Sequence, residues 1–282
     1  MIKNQLKNLS KNTFKVGLVQ MTSSDNIAQN IIDAEDHIRS AAAIGAEFVL
    51  TPEMTPLLDF DAIRLMEKIK SEQEDTTWRH FARLAEELGI WLLLGSAPIK
   101  CDDKAANRSY LFSPQGEKIT TYDKIHMFDV DLPDQKSFRE SKTYKAGDKM
   151  VIADLPWGKL GLTICYDLRF PYLYRRLAQA GSSMISVPSA FTKLTGEAHW
   201  HTLLRARAIE NGVYIFAPAQ VGNHVNGRET FGHSLIIDPW GITLGDGGNK
   251  VGVTIAEIDI QKVKEARMRI GSLSHDRDIN LS

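Results

Sequence analysis

Short apolar runs alternate with longer amphipathic stretches along most of this chain, and that alternation narrows the folds open to it more than any other feature. The runs fall at residues 16–19, 48–50, 91–94, 162–164, 185–187 and 213–216. Each is of strand length and rich in the side chains that suit a buried strand. Between several of them apolar residues recur at helical spacing: Ile27, Ile31, Ala34 and Ile38; Trp78, Phe81, Ala82 and Ala85; Leu173, Leu177 and Ala180. Such spacing gathers one apolar stripe on each helix. Strand-helix alternation predicts α/β layering.

Not every connection reads as helical. The turn Ser113-Pro114-Gln115-Gly116 between the β-rich stretches 109–112 and 118–122 predicts an antiparallel hairpin, and Asp238-Pro239-Trp240-Gly241 separates 235–237 from 242–244 in the same way. The sheets are therefore expected to be mixed. No repeat, low-complexity linker or composition break interrupts residues 14–282, so one domain is expected there. Residues 1–13, polar and rich in Lys and Asn, read as a flexible tail.

With 282 residues, 43% of them hydrophobic, the chain can bury a large core. Its charge is balanced, 34 Lys and Arg against 35 Asp and Glu, and no basic block is present that would track a phosphate backbone, so no nucleic-acid partner is expected. The apolar runs are too short to span a bilayer, and the opening residues lack the apolar core of a secretory leader. A cytoplasmic protein without a membrane partner is expected. Cys101 and Cys165, the two cysteines, are then expected to be free thiols.

Three strand ends carry reactive groups. Cys165 stands where a strand meets a polar elbow, and Pro171 begins a helix shortly after. Ligands gather at such strand ends in α/β sheets, and a nearby helix start favours the thiolate; a lone cysteine in an apolar run also packs simply as a small hydrophobe. Glu53, closing Val49-Leu50-Thr51-Pro52-Glu53, and Lys124, closing Tyr122-Asp123-Lys124, each follow a strand directly. Either alone reads as a solvated turn residue. Brought to one rim, carboxylate, ammonium and thiol would supply a base, an oxyanion stabiliser and a nucleophile.

Taken together, Thr51-Pro52-Glu53, Asp123-Lys124-Ile125-His126-Met127-Phe128-Asp129 and Thr163-Ile164-Cys165-Tyr166-Asp167-Leu168-Arg169-Phe170-Pro171 strongly resemble the nitrilase superfamily of carbon-nitrogen hydrolases. The resemblance covers roughly residues 14–275 and continues through Arg139-Glu140-Ser141, Pro188-Ser189-Ala190-Phe191 and Gly232-His233-Ser234, which point to the Nit subfamily, the branch that includes ω-amidase and deaminated-glutathione amidase. It implies a four-layer α-β-β-α sandwich with mixed sheets, and a homodimer or higher homo-oligomer. Cys165 becomes the implied nucleophile, Glu53 the general base, and Lys124 with the Tyr166 N–H the oxyanion donors, while Glu140 positions the substrate amide. The chemistry is hydrolysis of a small carboxylate-bearing amide through a thioester, and it needs no cofactor or metal.

Arg169, four residues past Cys165, is expected to reach a substrate carboxylate or else to pair with Asp167. Phe191 is expected either to wall the pocket or to pack in the core. The segment 220–228 resembles the deaminated-glutathione branch and 124–142 the ω-amidase branch; Tyr172, Met54 and Thr55 depart from the usual pattern, which leaves pocket size open. Rival readings are a hydrolase of nitriles, carbamoyl groups or other amides, a silent scaffold of the same fold, a papain-like pair of Cys165 with His233, and a metal site drawing on His126, His199, His201 and His233. The spacing of His199 and His201 is not that of a helical metal-binding pair.

Overall fold

The structure, a computed structural model, describes residues 12–132, 137–225 and 227–279. The tail expected over residues 1–13 lies outside the described residues as far as residue 11, and Thr13 already opens the first strand.

Two six-stranded sheets carry the fold. The first has the order β16-β1-β2-β3-β4-β5, built from β1 (Thr13–Gln20), β2 (Phe48–Leu50), β3 (Trp91–Cys101), β4 (Lys104–Phe112), β5 (Lys118–Asp123) and β16 (Gly252–Asp259). The second has the order β15-β14-β11-β10-β9-β8, built from β8 (Ile152–Leu155), β9 (Gly158–Leu162), β10 (Ser182–Ser186), β11 (Tyr214–Ala217), β14 (Leu235–Ile237) and β15 (Thr243–Asp246). In each sheet three adjacent strands run parallel, flanked by one antiparallel strand on one side and, on the other, by an antiparallel strand and a second that turns back to run with the central three. The two halves thus share a strand plan that leaves no repeat in the sequence.

Period-two alternation explains the layering. Leu18, Phe48, Leu50, Leu93 and Leu111 point into the core shared with Leu160, Ile185, Phe216 and Ile236 of the second sheet. Their chain neighbours Val19, Val49, Leu92, Leu94 and Phe112 point outward, onto Ala34, Ile38, Phe81 and Ala85. Those four belong to α1 (Ile27–Ala43) and α3 (Thr77–Leu88). On the outer face of the second sheet lie α4 (Pro171–Gln179) and α5 (Lys193–Asn211), which bury Leu173, Leu177, Trp200, Leu204 and Ala208. The result is the expected α-β-β-α sandwich. Both expected hairpin turns form, with Gly116 and Gly241 at positive φ.

Candidate active site

Strand direction brings the three reactive side chains to one rim. β2 ends just before Glu53, and β9 ends just before the turn that carries Cys165. Since β4 turns back on β3 and β5 on β4, β5 runs parallel to β2 and delivers Lys124 to the same edge. All three are buried, at 4%, 2% and 6% exposure for Glu53, Lys124 and Cys165. They sit in a cavity of about 650 Å³ whose wall includes Glu140, Tyr166, Phe191, Phe60, Phe128, Phe138 and Arg228.

The loop bearing Glu53 is clamped from several sides. Met54 N–H donates to Ser96 Oγ at 2.9 Å and Thr55 N–H to the Ser96 carbonyl at 3.1 Å. Gly95 permits the approach, because a Cβ there would stand 1.9 Å from the Thr51 carbonyl oxygen and 2.4 Å from that of Pro52. Glu53 Oε2 accepts from the Ala190 N–H at 2.8 Å and Oε1 from Asn107 Nδ2 at 2.9 Å. Lys124 Nζ donates to Glu53 Oε1 at 3.0 Å and to both oxygens of Glu140 at 2.9 Å. Glu140 is held in turn by the Phe128 N–H at 2.6 Å.

Cys165 opens a five-residue 3₁₀ segment, Cys165–Arg169, at a φ of +47°, a left-handed conformation costly for a side chain of its kind. Asp167 braces this elbow: Oδ2 accepts from the Ile164 N–H at 2.9 Å and the Tyr122 hydroxyl at 2.7 Å, and Oδ1 from the His126 N–H at 3.0 Å. Buried Arg207 closes the far end, donating to the Leu168 carbonyl from Nε at 3.0 Å and Nη2 at 2.9 Å.

Electrostatics sets the resting protonation state. Burial pushes the Glu53 carboxyl up, but the Lys124 charge and hydrogen bonds from Cys165 and Lys124 outweigh it, and Glu53 lies below its ordinary value. Burial also opposes the charge on Lys124, which Glu140 and Glu53 nevertheless hold well above the usual lysine range. For Cys165, burial first and the Glu53 carboxylate second push the thiol far up. The thiolate-favouring helix start expected from the sequence is therefore not what governs this sulfur: α4 begins only at Pro171, and the thiol rests protonated beside an ionised carboxylate.

Tyr166 and Phe191 both line the cavity. Arg169 does not; its guanidinium lies 5.9 Å from the Tyr166 ring centre and 5.4 Å from that of Phe191, with Nη2 3.4 Å from His199 Nδ1. Asp167 turns to Tyr122 and His126 rather than to Arg169. His233, the partner of the papain-like alternative, bonds Asp246 through Nδ1 at 2.9 Å and is not part of the cavity wall. Together with His201 and Asp246 it forms a trio whose ligand atoms lie within 4.8 Å of one another, also away from that wall.

Asn107 was not singled out by the sequence, and Arg228 entered only as the end of the segment 220–228. Asn107 carried a signal, an amide in a strand whose neighbours Ala106 and Ser109 are buried. Arg228 closes the segment 220–228 that resembles the deaminated-glutathione branch, but by itself an arginine in a polar turn resembles any solvated one.

Comparison with known proteins agrees with this arrangement. A family model described as carbon-nitrogen hydrolase matches residues 15–268. The chain is similar to a deaminated glutathione amidase of Synechocystis sp., 41% identical over 91% of this chain and 96% of that one. It is also similar to a deaminated glutathione amidase of Yersinia enterocolitica, 40% identical over 94% and 93%. Among solved structures, the NitFhit protein of Caenorhabditis elegans superposes with a TM-score of 0.86 at 35% identity, covering 94% of this chain and 65% of that protein. The chain belongs to the carbon-nitrogen hydrolase family. Its class is that of an enzyme that hydrolyses C–N bonds, with an amide as substrate.

Proposed function

We propose that this enzyme cleaves the amide of deaminated glutathione or a close analogue through a thioester on Cys165. The observation that carries the reading is the gathering of one buried carboxylate, Glu53, bonded to Lys124, into the same cavity wall as the buried Cys165 thiol. An ionised carboxylate beside a protonated thiol is in the state needed to take its proton when sulfur attacks. Glu53 takes the Sγ proton as sulfur bonds the amide carbon. Charge gathering on the carbonyl oxygen meets Lys124 and the Tyr166 N–H, while Glu140 holds Lys124 in place. Glu53 then gives its proton to the nitrogen, the C–N bond breaks and the amine leaves. Water, deprotonated by Glu53, attacks the thioester; the C–S bond breaks and the proton returns to sulfur.

Two observations support the larger substrate over a short α-keto acid monoamide. Relatives about 40% identical over nine-tenths of the chain carry the deaminated glutathione amidase name, and a 650 Å³ cavity is of the size that takes drug-sized ligands. Tyr166 and Phe191 are read as its substrate-facing walls, with Arg169 bracing both rings. The decisive assay follows product release from deaminated glutathione beside α-ketoglutaramate and succinamate. Turnover of the first, lost in Cys165→Ala, is expected; no hydrolysis of any amide by the native protein sinks the reading.

Residues 14–282 are read as one folding unit, since a single apolar core joins both sheets. We also infer self-association. Ile209, Trp240, Ile242, Met268 and Ile270 are each about half exposed or more; Ile209 lies against Gly241, and Arg269 lies over the Trp240 ring. A monomer mass in light scattering would remove this inference. Both cysteines are unpaired, which suits a reducing cytosol.

A further inference from the structure

Away from the cavity, three side chains able to hold a metal meet at one point. His201 lies on α5, His233 in the loop between β13 (Glu229–Phe231) and β14, and Asp246 closes β15. Their ligand atoms, one from each residue, all lie within 4.8 Å of one another. Oδ2 of Asp246 is the shared corner, 3.2 Å from Nε2 of His201 and 3.2 Å from Nδ1 of His233. All three side chains are partly exposed, 40% for His201, 27% for His233 and 36% for Asp246, so an ion can reach them from solvent.

Backbone contacts hold this arrangement independently of the bonds within it. The His233 N–H donates to the Gly248 carbonyl at 2.7 Å, and the His233 carbonyl accepts from Nε1 of Trp200, the neighbour of His201 on α5, at 2.8 Å. The Gly247 N–H donates to the Ser234 carbonyl at 2.9 Å, and the Gly248 N–H fixes Oδ1 of Asp246 at 2.8 Å. His233 itself stands at a φ of +54°, a conformation kept only where the surroundings over-determine it. Two imidazole nitrogens and one carboxylate oxygen suit a first-row transition ion such as zinc, whereas calcium and magnesium take oxygen ligands. Bonds of about 2.0–2.1 Å to such an ion place tetrahedral ligands about 3.3 Å apart, and the two edges that meet at Oδ2 are already 3.2 Å.

We propose that His201, His233 and Asp246 form a binding site for a divalent first-row transition ion of the zinc type, which clamps α5 to the loop before β14 and to the end of β15. The site takes no part in C–N cleavage, since none of the three residues belongs to the cavity wall. Its link to the cavity is mechanical and runs through Phe231. That ring stacks on His233 with centres 4.5 Å apart and meets His201 edge-on at 5.9 Å, while its N–H donates to the carbonyl of Phe191, a cavity-wall residue, at 3.0 Å. Gly196 on α5 allows the packing, because a Cβ there would stand 2.4 Å from the Phe231 Cβ. A bound ion therefore stabilises the fold and stiffens the Phe191 side of the wall.

The test uses untagged, metal-stripped protein carrying Cys101→Ser and Cys165→Ala, so that neither thiol competes for the ion. Calorimetry with Zn²⁺ is expected to show one equivalent bound, and Tm should rise with added Zn²⁺, because folding alone assembles this donor set. Loss of one ligand in His201→Gln or in Asp246→Asn should weaken binding by at least about 10- to 100-fold, the cost of disturbing even a metal's outer partners, and remove the rise in Tm. Gln suits a partly exposed helix position and Asn keeps the shape of Asp246, so either variant serves if the other does not fold. Co²⁺ should give the visible bands of a nitrogen- and oxygen-ligated ion, lost in both variants. Absence of Zn²⁺ binding, or Zn²⁺ affinity unchanged by either substitution in folded protein, overturns the proposal. Ca²⁺ binding of equal strength overturns it as well and makes Asp246 an ordinary surface carboxylate.

Discussion

The ammonium of Lys124 stands 2.9 Å from each carboxylate oxygen of Glu140, a symmetric two-oxygen contact. Its third contact is Oε1 of Glu53, 3.0 Å away. With two carboxylates around it, Lys124 stays charged although buried, and its direction is fixed before any substrate arrives. Glu140→Gln keeps the shape but removes one anion, so Lys124 is drawn toward Glu53 and away from the oxyanion position. We expect kcat to fall by about 10²-fold with little change in KM, the loss typical of one misplaced oxyanion donor. A KM effect with unchanged kcat would show instead that Glu140 acts in binding alone.

The pairing of a depressed Glu53 with an elevated Cys165 thiol fixes the pH behaviour. The proton-accepting form of Glu53 is present above its lowered titration point, and the thiol stays protonated well past its ordinary range. The kcat/KM profile should therefore be flat through neutral pH, with an acid limb below the ordinary carboxylate range. In Glu53→Gln one of the two causes raising the thiol disappears while burial remains, so ultraviolet thiolate absorbance should appear at lower pH than in the native protein. The same variant should lose about 10²- to 10⁴-fold in kcat, the usual contribution of a general base. A native thiolate already formed at neutral pH would contradict this assignment.

Those groups were legible in the sequence only together: Glu53, Lys124 and Cys165 each follow an apolar or β-rich run, any one of them alone reads as a turn residue or a packed thiol, and it is their three motifs jointly that resemble one family. The strongly periodic helices α1, α3 and α4 were legible on their own, since one apolar face must be covered. β8 and β16 were missed. Ile152–Leu155 and Gly252–Asp259 are partly exposed and carry mixed side chains, and β16 pairs with β1 across nearly the whole chain, which no local window detects. The duplicated strand plan is likewise one of direction and order, invisible in residue identities. Arg169 drew notice by its nearness to Cys165 in sequence, but the 3₁₀ turn sends it behind Tyr166 and Phe191, and Arg228, 63 positions beyond Cys165 by residue number, lines the cavity instead.

Asp59 offers a test of stability at the cavity edge. Its side chain is fully buried and meets Arg64 at 2.7 Å and Lys68 at 3.0 Å. Burial alone would raise the carboxyl; the hydrogen bonds from Arg64, the Asp61 N–H and Lys68 hold it down at about 2. A depressed carboxyl stabilises the fold above its unfolded value and ceases to do so as pH falls through the folded one. Between pH about 4 and about 2 the native protein should lose on the order of 2 kcal/mol from this group, reduced because Arg64 is partly exposed. Asp59→Asn should lack that acid-dependent component while being less stable at neutral pH. Parallel denaturant-derived stability curves for the two proteins across that range would contradict the assignment.

Gly95 tests how closely the Glu53 loop must be held. The Thr51 and Pro52 carbonyls pass where a Cβ on residue 95 would lie, at 1.9 and 2.4 Å, and both belong to backbone. No side-chain rotation relieves such contacts, so Gly95→Ala must push β3 from the loop after β2. That displacement also breaks the bond from the Gly95 N–H to Thr51 Oγ1, 3.0 Å, and loosens the Ser96 contacts to Met54 and Thr55. A loss above about 3 kcal/mol is expected, read as a large fall in Tm or in soluble yield. Where folded protein is recovered, kcat should drop more than KM rises, because Glu53 shifts relative to Cys165 while the cavity wall at Phe60, Phe128 and Arg228 is untouched. A Gly95→Ala protein with native Tm and native kcat would show that the loop has room to spare, and that the placement of Glu53 does not depend on this approach.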